Sequence, residues 1–137
     1  MATIATRKRK AAIAFEPELA GPGLRTFVNI AKRWDLSVKE QLILLGLISE
    51  STFYKWKNEA NPPLARDTLE RISYILGIYA ALQVLLPDAS AADTWVKRPN
   101  TAPMFGGKSA LDVMLAGNVG DLYRVRQYLD AQRGGWA

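Results

Sequence analysis

Cysteine and histidine are missing altogether from this chain of 137 residues. Without cysteine there is no disulfide framework and no thiol chemistry. Without histidine the commonest general base and the commonest metal ligand are gone. Long apolar runs are missing too. LILLGLI at 42–48 and YAALQVLL at 79–86 are the longest, and both fall short of the roughly 20 residues that span a bilayer. MATIATRKRKAAIAF carries a basic run before a few apolar residues, too few for a secretory leader. A cytoplasmic chain with no membrane contact is therefore expected. No segment alternates in the manner of a strand, and no internal repeat is present.

The net charge of +5 is present but uneven. Residues 1–66 carry eleven basic and six acidic side chains, whereas residues 67–137 carry seven of each. The whole excess lies in the N-terminal half, which points to a polyanionic partner for that half alone. A surface that is merely basic and soluble is the competing explanation.

The apolar spacing is helical throughout, so the fold class is all-α. TRKRK at 6–10 reads as part of a flexible basic tail, residues 1–19. A helix starts near Pro22–Leu24 and repeats Leu24, Phe27, Ile30 and Trp34. Ser37, with Glu40 three residues later, forms a capping box for a short helix that ends at Gly46. Ser49 caps the next helix, anchored by Phe53 and Trp56, and Pro62–Pro63 ends the segment. Asp67, with Glu70, is the expected cap of a long helix that runs to Leu86 and stops at Pro87. Its second half is apolar on nearly all sides, which means burial on several faces or a place between subunits. Residues 87–107 are expected to be mostly irregular, with a turn of helix before Trp95. Ser109 opens a helix closed by Gly117. A last helix from Val119 or Asp121 to Arg133 presents Leu122, Val125 and Leu129, and Gly134 fits a left-handed stop. This divides the chain into the tail, a segment 20–63 and a segment 64–137.

The pair of short helices over 37–58 has the form of a helix-turn-helix, in which the second helix enters a DNA major groove. Ser49, Ser51 and Thr52 offer hydroxyls to phosphates or bases. Tyr54, Lys55, Lys57 and Asn58 extend the polar surface. The apolar anchor expected six residues after the turn glycine is Thr52 here and Phe53 is the seventh, so the turn is one residue long, with Ile48 as the extra residue. An ordinary helical hairpin is the competing reading. Arg7, Lys8, Arg9 and Lys10 fit a basic arm along DNA, or a solvated tail.

FGGKS at 105–109 fails as a phosphate loop because Ala102 stands where the first glycine is needed and no strand precedes it. The C-terminal acids lack metal spacing. Asp88 and Asp93 flank a loop, and Asp112 and Asp121 stand at helix starts, where capping and dipoles account for them. No catalytic residue, metal or cofactor is expected, and the chain is read as a non-enzyme.

Three stretches, RDTLERISYILGIYAALQVLLPD, ADTWVKRPNTAPMFGGKSALDVMLAG and DLYRVRQYLDAQRGGW, resemble the Xre/MbcA/ParS antitoxins, partners of RES-domain toxins. The similarity runs in order over residues 24–137. It implies an antitoxin of a type II toxin–antitoxin pair, with an Xre-like helix-turn-helix that represses its own operon and a C-terminal helical toxin-binding domain. It implies a toxin that consumes NAD⁺ and an antitoxin tail that reaches its NAD⁺ pocket. Arg126, Arg133, Gly134, Gly135 and Trp136 are the residues placed at the toxin. A homodimer is implied as well, with Ile78, Tyr79, Leu82, Leu85 and Leu86 at its interface, pairing two recognition helices on palindromic operator DNA. Trp136 has two readings, an anchor in a partner's pocket or a plug against its own domain near Trp95. A plain dimeric regulator with no toxin partner is the second reading of the whole chain.

Overall fold

The computed structural model describes residues 17–135, and seven α-helices are found among them. A 3₁₀ turn at Pro17–Leu19 leads into α1, Ala20–Arg33. The helix starts earlier than the expected Pro22–Leu24. Pro22 falls in the first turn, where a missing N–H costs nothing because that group has no intrahelical acceptor. Leu24, Phe27, Ile30 and Ala31 form its buried face. Trp34 closes α1 and is buried in the core.

The two short helices follow, α2 at Val38–Leu44 and α3 at Glu50–Lys57. The capping box is present as expected: Ser37 Oγ accepts from the Glu40 N–H at 3.1 Å, and Glu40 Oε1 accepts from the Ser37 N–H at 2.8 Å.

The long helix α4 spans Arg66–Leu85. Asp67 is not its cap. The N-cap is Ala65, with no side-chain bond, and Asp67 lies one residue inside the first turn. Its carboxylate is occupied elsewhere, accepting from Arg71 Nε at 2.9 Å. Leu86 is the C-cap in extended backbone ahead of Pro87. Residues 87–97 are more regular than expected. Asp88 caps α5, Ala89–Thr94, by accepting from the Ala91 N–H at 2.9 Å. Asp93 is therefore inside a helix and faces Arg33 at 3.8 Å. The alanine-rich run supplies the propensity and Asp88 the start. After a 3₁₀ turn at Trp95–Lys97, a closed loop is held by Asn100 and Lys108 backbone pairing. Ser109 then caps α6, Ala110–Met114.

The last helix, α7, is Val119–Gly135. It continues through Gly134, which corrects the expected stop there: glycine permits a left-handed end without compelling one.

One hydrophobic cluster runs from Leu24 in α1 to Leu129 in α7. Helix α4 is its centre, packed on α7 over the longest helix pair of the fold and on α1 elsewhere. This accounts for the apolar faces that Ile75, Ile78, Ala81 and Leu82 present. Ile78 and Leu82 are 0% exposed within the single chain. The expectation that they form a dimer interface is thereby corrected, since their side chains are spent on the chain's own core. Tyr79, Leu85 and Leu86 are half-buried and Val84 is exposed.

Close approach sets one position sharply. A Cβ on Gly77 would run into the guanidinium of Arg126, which crosses α4 at that point.

Leu82→Ala is expected to lower stability by about 2–5 kcal/mol, the usual range for a cavity at a fully buried leucine. Urea unfolding measures it, and a loss below about 1 kcal/mol contradicts this placement in the core.

Candidate functional site

The turn between α2 and α3 is built by Gly46 and Leu47. Gly46 has φ +102° and Leu47 φ +64°. The Gly46 N–H donates to Ile43 O at 3.0 Å and the Leu47 N–H to Leu42 O at 2.8 Å. These crossed bonds make a Schellman ending, which needs a left-handed residue. Leu47 is 74% exposed, whereas Ile48 packs on the core. The extra residue of the long turn is therefore Leu47 and not Ile48. Inserting it moves the anchor to Phe53, which is fully buried.

Ser49 caps α3, its Oγ accepting from the Thr52 N–H at 3.1 Å. The same hydroxyl donates to Thr52 Oγ1 at 2.7 Å and lies 3.3 Å from Ser51 Oγ. Ser49 is thus committed to the helix start. Ser51, Tyr54, Lys55 and Asn58, spaced i, i+3, i+4 and i+7, form one exposed face of the helix. Thr52 is half-buried beside it. Lys57 stands to one side, with Nζ 4.8 Å from the Phe53 and Tyr54 ring centroids. Asn58 Nδ2 donates to the Tyr54 carbonyl at 3.2 Å. The helix thus offers a hydroxyl, a phenol, an ammonium and an amide on one convex surface.

Arg71, which sequence patterning does not single out, fixes this unit to the rest of the chain. It is 9% exposed. Its Nε meets Asp67 beside the turn, where a Cβ on Gly46 would come 3.2 Å from Arg71 Nε. Its Nη2 donates to the Gly117 carbonyl at 3.0 Å, at the turn between α6 and α7. Thr68 adds a bond from its hydroxyl to Leu45 O at 3.3 Å. A buried arginine amid apolar spacing looks like an interruption in sequence; only the fold brings residues 46, 67 and 117 to it.

On the C-terminal side, Arg126 is half-buried on α7 and its Nε donates to both carboxylate oxygens of Asp130, at 3.0 and 3.2 Å. Tyr123 and Arg126 share a face of α7 that borders Tyr74 of α4. The Tyr74 and Tyr123 ring centroids are 5.7 Å apart. Tyr74 Oη donates to Glu70 at 3.2 Å. Burial, and then the Glu70 charge, push the Tyr74 phenol above its ordinary range, so it stays a donor. Arg133 is exposed, and Gly134 and Gly135 are the last helical residues. Trp136 and the basic run Arg7, Lys8, Arg9 and Lys10 lie outside the described residues. Among the described residues no group of three acids could hold a metal, and no helix is long and apolar enough to cross a membrane.

Residues 14–77 match the antitoxin Xre-like helix-turn-helix domain, and residues 80–135 match the antitoxin Xre/MbcA/ParS C-terminal toxin-binding domain. The chain belongs to the Xre/MbcA/ParS antitoxin family. A curated relative, the uncharacterized protein y4oB of Sinorhizobium fredii, is 54% identical over 112 residues, covering 82% of this chain and 84% of the relative. No solved structure matches the chain. The antitoxin thus joins a DNA-binding helix-turn-helix to a toxin-binding domain, and neither family is enzymatic. The two matches meet inside α4, so one helix serves both domains.

Ser49→Ala is expected to cost about 1 kcal/mol, the usual worth of an N-cap. It frays the start of the recognition helix, read as faster hydrogen exchange at residues 50–53. Unchanged exchange there contradicts the capping role.

Proposed function

We propose that this antitoxin neutralises a RES-domain, NAD⁺-consuming toxin by occluding its active site with the C-terminal tail, and represses its own operon through the helix-turn-helix. The observation that carries the reading is the two domain matches, in order, on one chain. The charge split supports it, because the positive excess lies with the helix-turn-helix half.

On DNA, Ser51, Tyr54, Lys55 and Asn58 are the groups assigned to bases and phosphates, with Thr52 and Lys57 flanking and Ser49 holding the helix end. Arg7, Lys8, Arg9 and Lys10 are assigned to the DNA backbone as a basic arm. A homodimer supplies the second recognition helix. Val84, Leu85 and Leu86 at the end of α4 suit that contact, with Tyr79 at its border.

On the toxin, α7 delivers Arg133, Gly134 and Gly135 as its last turn, and Trp136 follows as an apolar anchor. Arg126 borders the same helix face. Trp95, the candidate partner for an inward-folded Trp136, already packs on Tyr128 and Phe105, with centroids at 6.4 and 6.0 Å. Neutralisation is steric: the tail fills space that the substrate needs, and no bond is made or broken by this chain.

Two variants separate the functions. Ser51→Ala with Lys55→Ala should weaken promoter binding by about 1–3 kcal/mol, roughly 5- to 150-fold, and leave toxin neutralisation intact. A chain ending at Arg133 should bind the promoter normally and fail to stop NAD⁺ loss by the toxin encoded beside it. NAD⁺ loss stopped equally by both lengths removes the tail from the mechanism. A neighbour that consumes no NAD⁺ removes the RES assignment and favours a plain regulator.

A further inference from the structure

The helix-turn-helix half carries a second cationic surface that the recognition face does not include. Helix α1 contains Arg25, Lys32 and Arg33 and no acidic residue in its fourteen residues. Lys32 and Arg33 lie in its last turn, where the helix dipole favours cations. Arg25 lies mid-helix and has no such explanation. Arg33 turns to Asp93. Arg25, Asn29 and Lys32, at i, i+4 and i+7, share one exposed face.

That face is one wall of an open groove of about 370 Å³, and the end of the recognition helix is the other. Lys57 and Asn58 stand at the second rim, while Val28 and Trp56 contribute half-buried apolar surface between them. Glu59 is the one acid lining the groove, against three bases. The ion pairs found among the described residues engage none of Arg25, Lys32 or Lys57.

We infer that this groove docks the sugar–phosphate backbone of duplex DNA, continuous with the recognition helix through Asn58. The inference rests on the DNA-binding reading above and extends it to Arg25, Asn29 and Lys32. A backbone segment presents singly charged oxygens that only accept hydrogen bonds. The rims present a guanidinium fork, two ammonium groups and two amides, all of which donate. The apolar strip suits the faces of the sugars. Asn58 belongs both to the exposed stripe of α3 and to the groove rim, so a strand leaving the recognition helix meets the groove directly. Interactions of this kind set register and affinity and carry no sequence information.

The test uses the full chain, its promoter duplex and a scrambled duplex of equal length, with affinity measured over a range of salt. Arg25→Gln with Lys32→Gln should weaken both duplexes by the same factor, on the order of tenfold. The log–log salt slope should become shallower by about 0.9 for each phosphate that is no longer neutralised. Lys32→Gln alone, at an exposed helix end, should give about half of that change and guards against a folding defect in the double variant. Toxin neutralisation should be unaffected. Promoter binding by the unaltered chain with the same salt slope in both variants overturns the groove and leaves the DNA reading standing. A loss confined to toxin neutralisation marks the groove as a site for an acidic protein surface and overturns it too. No promoter binding by the unaltered chain overturns both readings.

Discussion

Helix α4 buries Ile75, Ile78 and Leu82 at 1% exposure or less, and those side chains are packed from two directions. Helix α1 comes from the DNA-binding half and α7 from the toxin-binding half. Each fully buried side chain of this kind contributes about 1.5–3 kcal/mol of hydrophobic stabilisation. Neither half closes a core without the helix, because one hydrophobic cluster spans α1, α4 and α7. The apolar character of Ile75, Ile78, Ala81 and Leu82 follows from that position, whereas Val84 stays exposed. A surface helix would carry one apolar stripe; a helix shared by two domains needs at least two.

Arg71 places a polar bond at the point where the halves meet. Its guanidinium joins Asp67, beside the turn of the helix-turn-helix, to the Gly117 carbonyl, at the base of the terminal helix. Asp67 is half exposed, so the ion pair is screened and worth little by itself. The bond to the Gly117 carbonyl is part-buried and charge-assisted, so it matters more. One side chain thereby ties the turn of the helix-turn-helix to the start of the terminal helix. The α7 residues that precede the tail start from this junction.

Local signals in the sequence are strong where a side chain acts on its own neighbours. Ser37, Ser49 and Ser109 are legible as caps because the hydroxyl bonds three residues ahead, and each does so. The buried stripes of α1 and α7 are legible because 3.6-residue spacing survives without knowledge of the partner. Asp67 misleads because its carboxylate has a better use with Arg71. Ile78 and Leu82 mislead because spacing states that a residue is buried without stating against what. Leu47 is hidden because one inserted residue in the turn shifts which side chain turns outward, and Leu47 takes a positive φ that bulky residues seldom adopt. Arg71 and the groove wall of Arg25, Asn29 and Lys32 depend on neighbours at long sequence separation, and nothing local announces them. That the C-terminal half is a toxin-binding domain is legible only through family resemblance.

The DNA-binding and toxin-binding halves form one cooperative unit around α4. Native-state hydrogen exchange of the free full chain over a denaturant series tests it most directly, because it reads the opening free energy of each helix separately. The slowest amides of α1, α4 and α7 are expected to converge on one common opening event as denaturant rises. Opening of α1 to α3 at markedly lower free energy, with α4 and α7 still protected, would contradict it and make the helix-turn-helix an independent domain.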